Sequence, residues 1–378
     1  MGKIELDHTG SGSGVTLSSD GTDLLLNGTA IGGGGGTALE LYAENYDGIS
    51  TKPSATGTNA VAIGRNAAAS NSDAFSFGYA ASAQGQFSLA LGAAVTAGNA
   101  QGSTAIGYTA NSQGTRAVAL GNAYASGTDS FAAAIANNTS SYGATGANSV
   151  AIGELAKATG TDAIAIGASS TASGSQSFAA GFGHNAGSAR AVVLGYQSSA
   201  TSTGAIAIGN SCASSQGYAI SLGNGASAAV YGKMAHSADT FAAQGDAQSG
   251  QLVLNAASAD ATPVVMTSNG LTGFLSNNQI ILPNNSAYAF HGTIVARQQA
   301  SAGTACAAWK IEGLIRREGS AGTTVLVNSA TTVIDNTPSW GMALSADTTN
   351  GGLAITVTGA AATNIRWVAT IHTSEVTY

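Results

Sequence analysis

Along the middle of the chain, apolar and small residues alternate in short units that recur at a nearly constant interval. Each unit sets two larger apolar residues around one small residue and closes on glycine, as in Ala60-Val61-Ala62-Ile63-Gly64 and Ile206-Ala207-Ile208-Gly209. The closing glycines are Gly64, Gly78, Gly92, Gly107, Gly121, Gly153, Gly167, Gly181, Gly195, Gly209 and Gly223, with Ala134 in that place in one degenerate copy. The steps between them are 14 residues, apart from one of 15, one of 13 and one of 19. Within a unit the flanking pair points to one face of a short strand and the small residue to the other. The glycine then lets the chain turn where no Cβ fits. A second glycine stands four residues ahead of many apolar pairs (Gly57, Gly85, Gly114, Gly127, Gly146, Gly160, Gly174) and predicts a second turn per unit.

Fourteen residues are too few for a helical repeat, which needs about 33 or more. They suit one coil of a β-solenoid. No proline occurs between residues 59 and 223, as continuous strand stacking requires, because proline removes a ladder donor. Twelve coils about 4.8 Å apart would make a rod of roughly 55–60 Å. Each coil carries two or three large apolar side chains, too little burial to offset chain entropy alone. Several chains are therefore expected to pack side by side. Val61, Ile63, Ile152, Ile164, Ile166, Leu194, Ile206 and Ile208 are candidates for their shared core.

The repeat, most fully written in Asn148-Ser149-Val150-Ala151-Ile152-Gly153 and the stretch 153–166 that follows, resembles the head repeat of trimeric autotransporter adhesins of the YadA type. The resemblance covers about 57–225. It implies a left-handed parallel β-roll and a homotrimer. It does not extend to that family's signal peptide, coiled-coil stalk or membrane β-barrel. The N-terminus, Met1-Gly2-Lys3-Ile4-Glu5-Leu6-Asp7-His8, has no apolar core of a secretory leader, so none is expected.

Outside the repeat the pattern changes. Residues 8–36 are rich in Gly, Ser and Thr. They read either as a flexible linker or as an attachment segment with short strands at 15–17 and 23–26 around Asp20-Gly21. The organisation expected is an attachment segment and linker at 1–56, a repeat shaft at 57–225, a connector at 226–250 and a C-terminal β-sandwich at 251–378. Strands of the sandwich are predicted at 251–255, 262–267, 279–282, 287–297, 305–317, 323–334, 339–346, 352–358 and 364–375. Alternation is clearest at Ile365, Trp367, Ala369 and Ile371. About nine strands in this length argue for an antiparallel sandwich of jelly-roll type. The stretches Lys233-Met234-Ala235-His236-Ser237, Leu282-Pro283-Asn284-Asn285-Ser286 and 345–351 resemble C-terminal domains of phage tail fibre and appendage proteins.

Composition narrows the function. Glycine is 52 of 378 residues, charged residues are 8% and the net charge is −7. A weakly acidic chain offers no electrostatic footprint for nucleic acid. Low charge density and modest net charge also argue against disorder. No apolar run approaches the roughly 18 residues of a membrane helix. Cys212 and Cys306 are far apart in the chain and are expected as free buried thiols. Gly181-Phe182-Gly183-His184-Asn185-Ala186 spells a dinucleotide fingerprint but lacks the following helix and ribose-binding acid, so it reads as solenoid, with His184 a turn residue. His8, His184, His236, His291 and His372 show no metal-ligand spacing. Asp73, Asp129, Glu154 and Asp162 lie on different coils, and the sandwich acids show no pairing of the kind glycosidases use. No cofactor, metal or catalytic group is expected.

Two places invite a binding hypothesis. The 19-residue step inserts about five residues at 137–144. It reads as a tolerated insertion or as a bulge that exposes Tyr142. The sandwich loops carry Asn284, Asn285, Trp340, Thr348 and Asn350, amide and aromatic side chains of the kind that hold carbohydrate. Trp340 reads more readily as core than as a ligand platform. The expectation is a virion protein without enzymatic activity: a homotrimeric phage tail fibre that recognises a host-surface glycan or protein, joined to other virion proteins through its N-terminal segment. Alternatives are a decoration or whisker fibre without a receptor role, a bacterial adhesin head, and a depolymerising tailspike.

Overall fold

The computed structural model describes residues 4–6, 15–19, 24–26, 29–31, 51–133 and 141–378. The first four short segments pair as an antiparallel meander, Ile4–Leu6 with Val15–Ser19, then Leu24–Leu26, then Thr29–Ile31. The Gly32–Gly36 run, Tyr42, Tyr46, Ala134 and residues 137–140 of the 137–144 insertion lie outside the described residues.

From Ser54 to Ser237 the chain winds as a parallel β-solenoid of thirteen coils. Each coil has a strand of three to five residues, such as Ile164–Ile166, and a two-residue strand, such as Thr171–Ala172. Neighbouring coils pair in register, Val150 against Ile164 and Ala151 against Ala165. One coil more is present than the eleven closing glycines and Ala134 mark. It lies in 226–250, where Met234–Ser237 closes on Ser237 instead of glycine. The solenoid therefore runs on to Ser237, and only 238–246 connects it to the first strand of the sheet at Ala247.

The alternation sorts side chains by size. The interior is built from alanine, with Ala90, Ala119, Ala151, Ala165 and Ala207 fully buried. Interior serines bond to their own turns, as Ser88 Oγ to the Gly85 carbonyl at 2.6 Å. The larger flanking residues point outward. The glycine ladder is a steric necessity at Gly209, where φ is +129° and a Cβ would overlap the Gly223 carbonyl oxygen on the next coil.

The last coil passes directly into an antiparallel sheet. Met234–Ser237 pairs with Ala247–Ser258, and the order continues through Ile365–Thr377, Ser286–Gln298 and Cys306–Arg317 to Val325–Asp335. A smaller sheet pairs Gly352–Thr358 with Gly341–Asp347, Val264–Val265 and Ile280–Ile281. All nine predicted strands are present. The two sheets enclose a second core around Leu254, Ile294, Ile311, Ile355 and Trp367.

The two interiors meet at a buried ion pair. Lys233 takes the place that alanine or serine holds in earlier coils, and its Nζ lies 2.6 Å from Glu375 Oε2. Gln248 Nε2 donates to the same oxygen at 2.7 Å, and Thr373 Oγ1 donates to Oε1 at 2.6 Å. Gln248 also accepts the Ser227 amide at 2.8 Å, which ties this knot back to the coil.

Candidate functional site

Among the described residues, the outward face of the longer solenoid strands carries a long run of partly exposed apolar side chains. It carries two parallel rows, one through Val61, Ile164 and Ile206, the other through Ile63, Ile152, Ile166, Leu194 and Ile208. Phe75, Leu91, Ile166 and Ile208 keep 41%, 43%, 39% and 38% of their surface exposed, while the alanines behind them are closed. A third row beyond the turn glycines holds aromatic residues. Phe182 stacks on Tyr196 with centroids 5.3 Å apart, and the Arg65 guanidinium lies 4.4 Å from the Tyr79 ring. Contiguous apolar surface of this kind marks an interaction site.

The face continues into the sandwich. Directly paired residues share a face, so Met234 and His236 lie level with Gln251 and Ser249, and these with His372 and Ser374. His372 stands opposite His291, with ring centroids 5.3 Å apart and nearly parallel. Val253, Val295 and Val368 are exposed on the same side. The outermost strand, Val325–Asp335, is open along almost its whole length, with Val327, Val333 and Ile334 exposed. Such an edge is a template for further pairing.

The coils match the YadA head domain repeat. The matched windows are 55–79, 69–94, 99–123, 144–170, 158–183 and 186–211. No curated protein matches the chain. Among solved structures, the chain is similar to a tailspike protein, gp49 of Acinetobacter baumannii bacteriophage Fri1, described as a capsular polysaccharide depolymerase. The identity is 10% and the TM-score 0.21, over 83% of this chain and 62% of that one. The chain thus spans less than two thirds of that tailspike's length.

The head repeats account for a two-faced coil, with alanine inside and branched residues outside. They do not place the loop candidates. Tyr142 is half-buried against the alanine interior, not displayed. Trp340 is 4% exposed and belongs to a cluster with Trp309 and Trp367, whose centroids lie 5.7–5.8 Å apart. It has no open ring face for a sugar, because it packs against Trp367 in the sandwich core.

Asn284 and Asn285 follow Leu282, and Thr348 and Asn350 precede Gly351. The Leu282 amide donates to the Gly351 carbonyl at 3.0 Å, so the two turns flank one backbone bond. Asn284, Asn285 and Thr348 are exposed. Asn350 is committed internally, its Nδ2 donating to Asp347 Oδ2 at 2.8 Å. Burial works against the Asp347 charge. The hydrogen bonds from Asn350 and Gln279 prevail and hold its carboxyl below the usual range.

Cys212 is free and buried, as expected, and burial pushes its thiol up. Cys306 is exposed, because it opens a strand on the outer face. His184 is buried at a position that other coils fill with smaller residues such as Ala81, Val95, Ser198 and Cys212, and its Nδ1 accepts the Ser198 amide at 3.3 Å. The coil acids lie on different coils, as expected. Asp73, Asp129 and Asp162 occupy one turn position and meet Asn59, Arg116 and Asn148 from neighbouring coils.

Proposed function

We propose that three copies of this chain form a phage virion fibre that attaches to a host-surface glycan and has no enzymatic activity of its own. One observation carries the reading. The solenoid keeps its large apolar side chains outside and its alanines inside, along thirteen coils. A lone coil of this kind leaves its main hydrophobic gain unused, whereas three chains packed on these rows bury them. YadA head domains are typically trimeric, which favours three copies over two. The open Val325–Asp335 edge supports the same conclusion, since a long apolar edge is a liability in a monomer.

The likeness of 282–286 and 345–351 to phage fibre C-terminal domains supports the virion setting. The exposed amides there suit hydroxyl-rich ligands. Threefold repetition would turn weak single contacts into firm attachment. The N-terminal segment would join the fibre to other virion proteins.

The test is the solution mass of the full chain, followed by its binding to an array of bacterial surface glycans. A trimer of three times 36.7 kDa that retains glycans is the expected result. A monomer would refute the shared core. A trimer that binds no glycan and no bacterial cell would refute the attachment role.

A further inference from the structure

At the opposite end of the long strands, away from Asn284 and Asn350, four residues stand abreast on the outer face: Ala257, Arg366, Arg297 and Cys306. Arg297 and Arg366 are direct cross-strand partners, and both are exposed. Like charges in that relation are destabilising. Other basic groups of the sandwich are answered. Lys310 pairs with Glu312 at 3.2 Å, Arg316 pairs with Glu318, and Arg317 donates to the Leu282 carbonyl at 2.7 Å. Among the described residues, neither Arg297 nor Arg366 has a carboxylate partner.

The two guanidinium groups border a cleft of about 570 Å³. That volume falls within the range of roughly 300–1,000 Å³ usual for small-ligand sites. Its polar wall is Gln298, Gln299, Asn364 and Ser258. The wall is held in place. The Gln299 amide donates to the Asn364 carbonyl at 2.9 Å, and Asn364 Nδ2 donates to Gln299 Oε1 at 3.1 Å. Arg297 Nη1 is anchored by the carbonyls of Gln298, Gly303 and Ala305 at 3.2–3.3 Å. Ser258 Oγ receives the Trp367 indole N–H at 3.0 Å.

We infer that this cleft binds an acidic saccharide, with its oxyanion held between Arg297 and Arg366. Paired guanidinium groups match a planar or tetrahedral oxyanion bidentately. The side-chain amides offer donors and acceptors to the flanking hydroxyls. The oxyanion is a sugar carboxylate or a sugar phosphate, and both present the same chemistry to the arginines. The inference rests on the glycan-attachment reading and narrows it to acidic glycans at a named place.

The test is calorimetric titration of the full-length protein with a hexauronate, a hexose phosphate and a neutral hexasaccharide, at two salt concentrations. The uronate, the phosphate or both should bind, more weakly at high salt, and the neutral oligosaccharide should not. Arg297→Gln and Arg366→Gln should each weaken binding at least tenfold. Arg366→Gln should leave the melting temperature unchanged or raised, since it relieves a like-charge contact, and its binding loss therefore reads the site without a change in fold. Equal binding of the neutral and acidic oligosaccharides, or full binding by the Arg297→Gln/Arg366→Gln variant, would overturn the inference. Array binding separates this from the wider reading. If the double variant retains glycans as the parent does, attachment stands and the arginine site falls. If acidic sugars bind at the cleft but the fibre retains no cell-surface glycan, the site stands and the attachment role falls.

Discussion

Ile166 and Ile208 point outward from the solenoid and keep 39% and 38% of their surface open in the single chain. Fully burying an isoleucine is worth about 1.5–3 kcal/mol, so covering the remainder contributes about 1 kcal/mol per side chain. Two positions in three chains amount to about 6 kcal/mol, or on the order of 10⁴ in an association constant. Replacing both by aspartate removes this and places six carboxylates in the contact, each with a desolvation cost. The Ile166→Asp/Ile208→Asp variant should therefore dissociate at concentrations where the parent is trimeric. The coil itself should persist, because Ala165 and Ala207 behind these positions remain fully buried. Light scattering over a dilution series reads the mass, and far-ultraviolet circular dichroism reads the strands. A variant that stays trimeric at every concentration would refute the outward rows as the contact. Loss of β-structure together with the trimer would mean that the coil depends on its neighbours for folding, and an Ile166→Ser/Ile208→Ser variant then reads the contact alone.

Further outcomes follow from the packing. Gly209→Ala should lower the denaturation midpoint by the equivalent of more than about 2 kcal/mol, combining backbone strain with the overlap on the Gly223 carbonyl. Gly232→Asn, at φ +67° with open space around it, should cost less than about 1 kcal/mol, so equal costs in the two denaturation curves would discount the ladder argument. Lys233→Met leaves Glu375 buried without its cation and should cost about 3–5 kcal/mol, measured by chemical denaturation. Asp246 accepts the amides of Ala243, Ala242 and Phe241 at 2.6–2.9 Å, and these bonds hold its carboxyl below the usual range. Its folded pKa lies below the unfolded one, so the stability it adds is present above about pH 4 and is lost as pH falls through the folded value. Melting temperatures between pH 2 and 7 should fall on the acid side for the parent, with a flatter profile for Asp246→Asn.

The coil was legible in the sequence because its physics is local. Strand alternation, a glycine at positive φ and a fixed 14-residue step each leave a mark within a few residues. The extra coil at Met234–Ser237 escaped because serine ends it, and the pairing with Gly223 alone reveals it. Strand positions in the sandwich could be read from alternation, but not which strands are neighbours. Ile365–Thr377 inserts between Ala247–Ser258 and Ser286–Gln298, a pairing that spans more than 60 residues. Trp340 shows the limit most plainly, since a tryptophan beside a turn reads the same whether it is displayed or folded inward.

Local composition and period thus determined the solenoid, its two turns per coil and the split between small and large side chains. These follow from sterics and hydrogen bonding within a coil and its nearest neighbours. The tertiary structure decided what register and long-range pairing control. Lys233 meets Glu375 across 142 positions of chain, and Arg297 faces Arg366 across a ladder of paired strands. A cross-strand register depends on the whole sheet and its core, so residues that meet there carry no mark of each other in sequence.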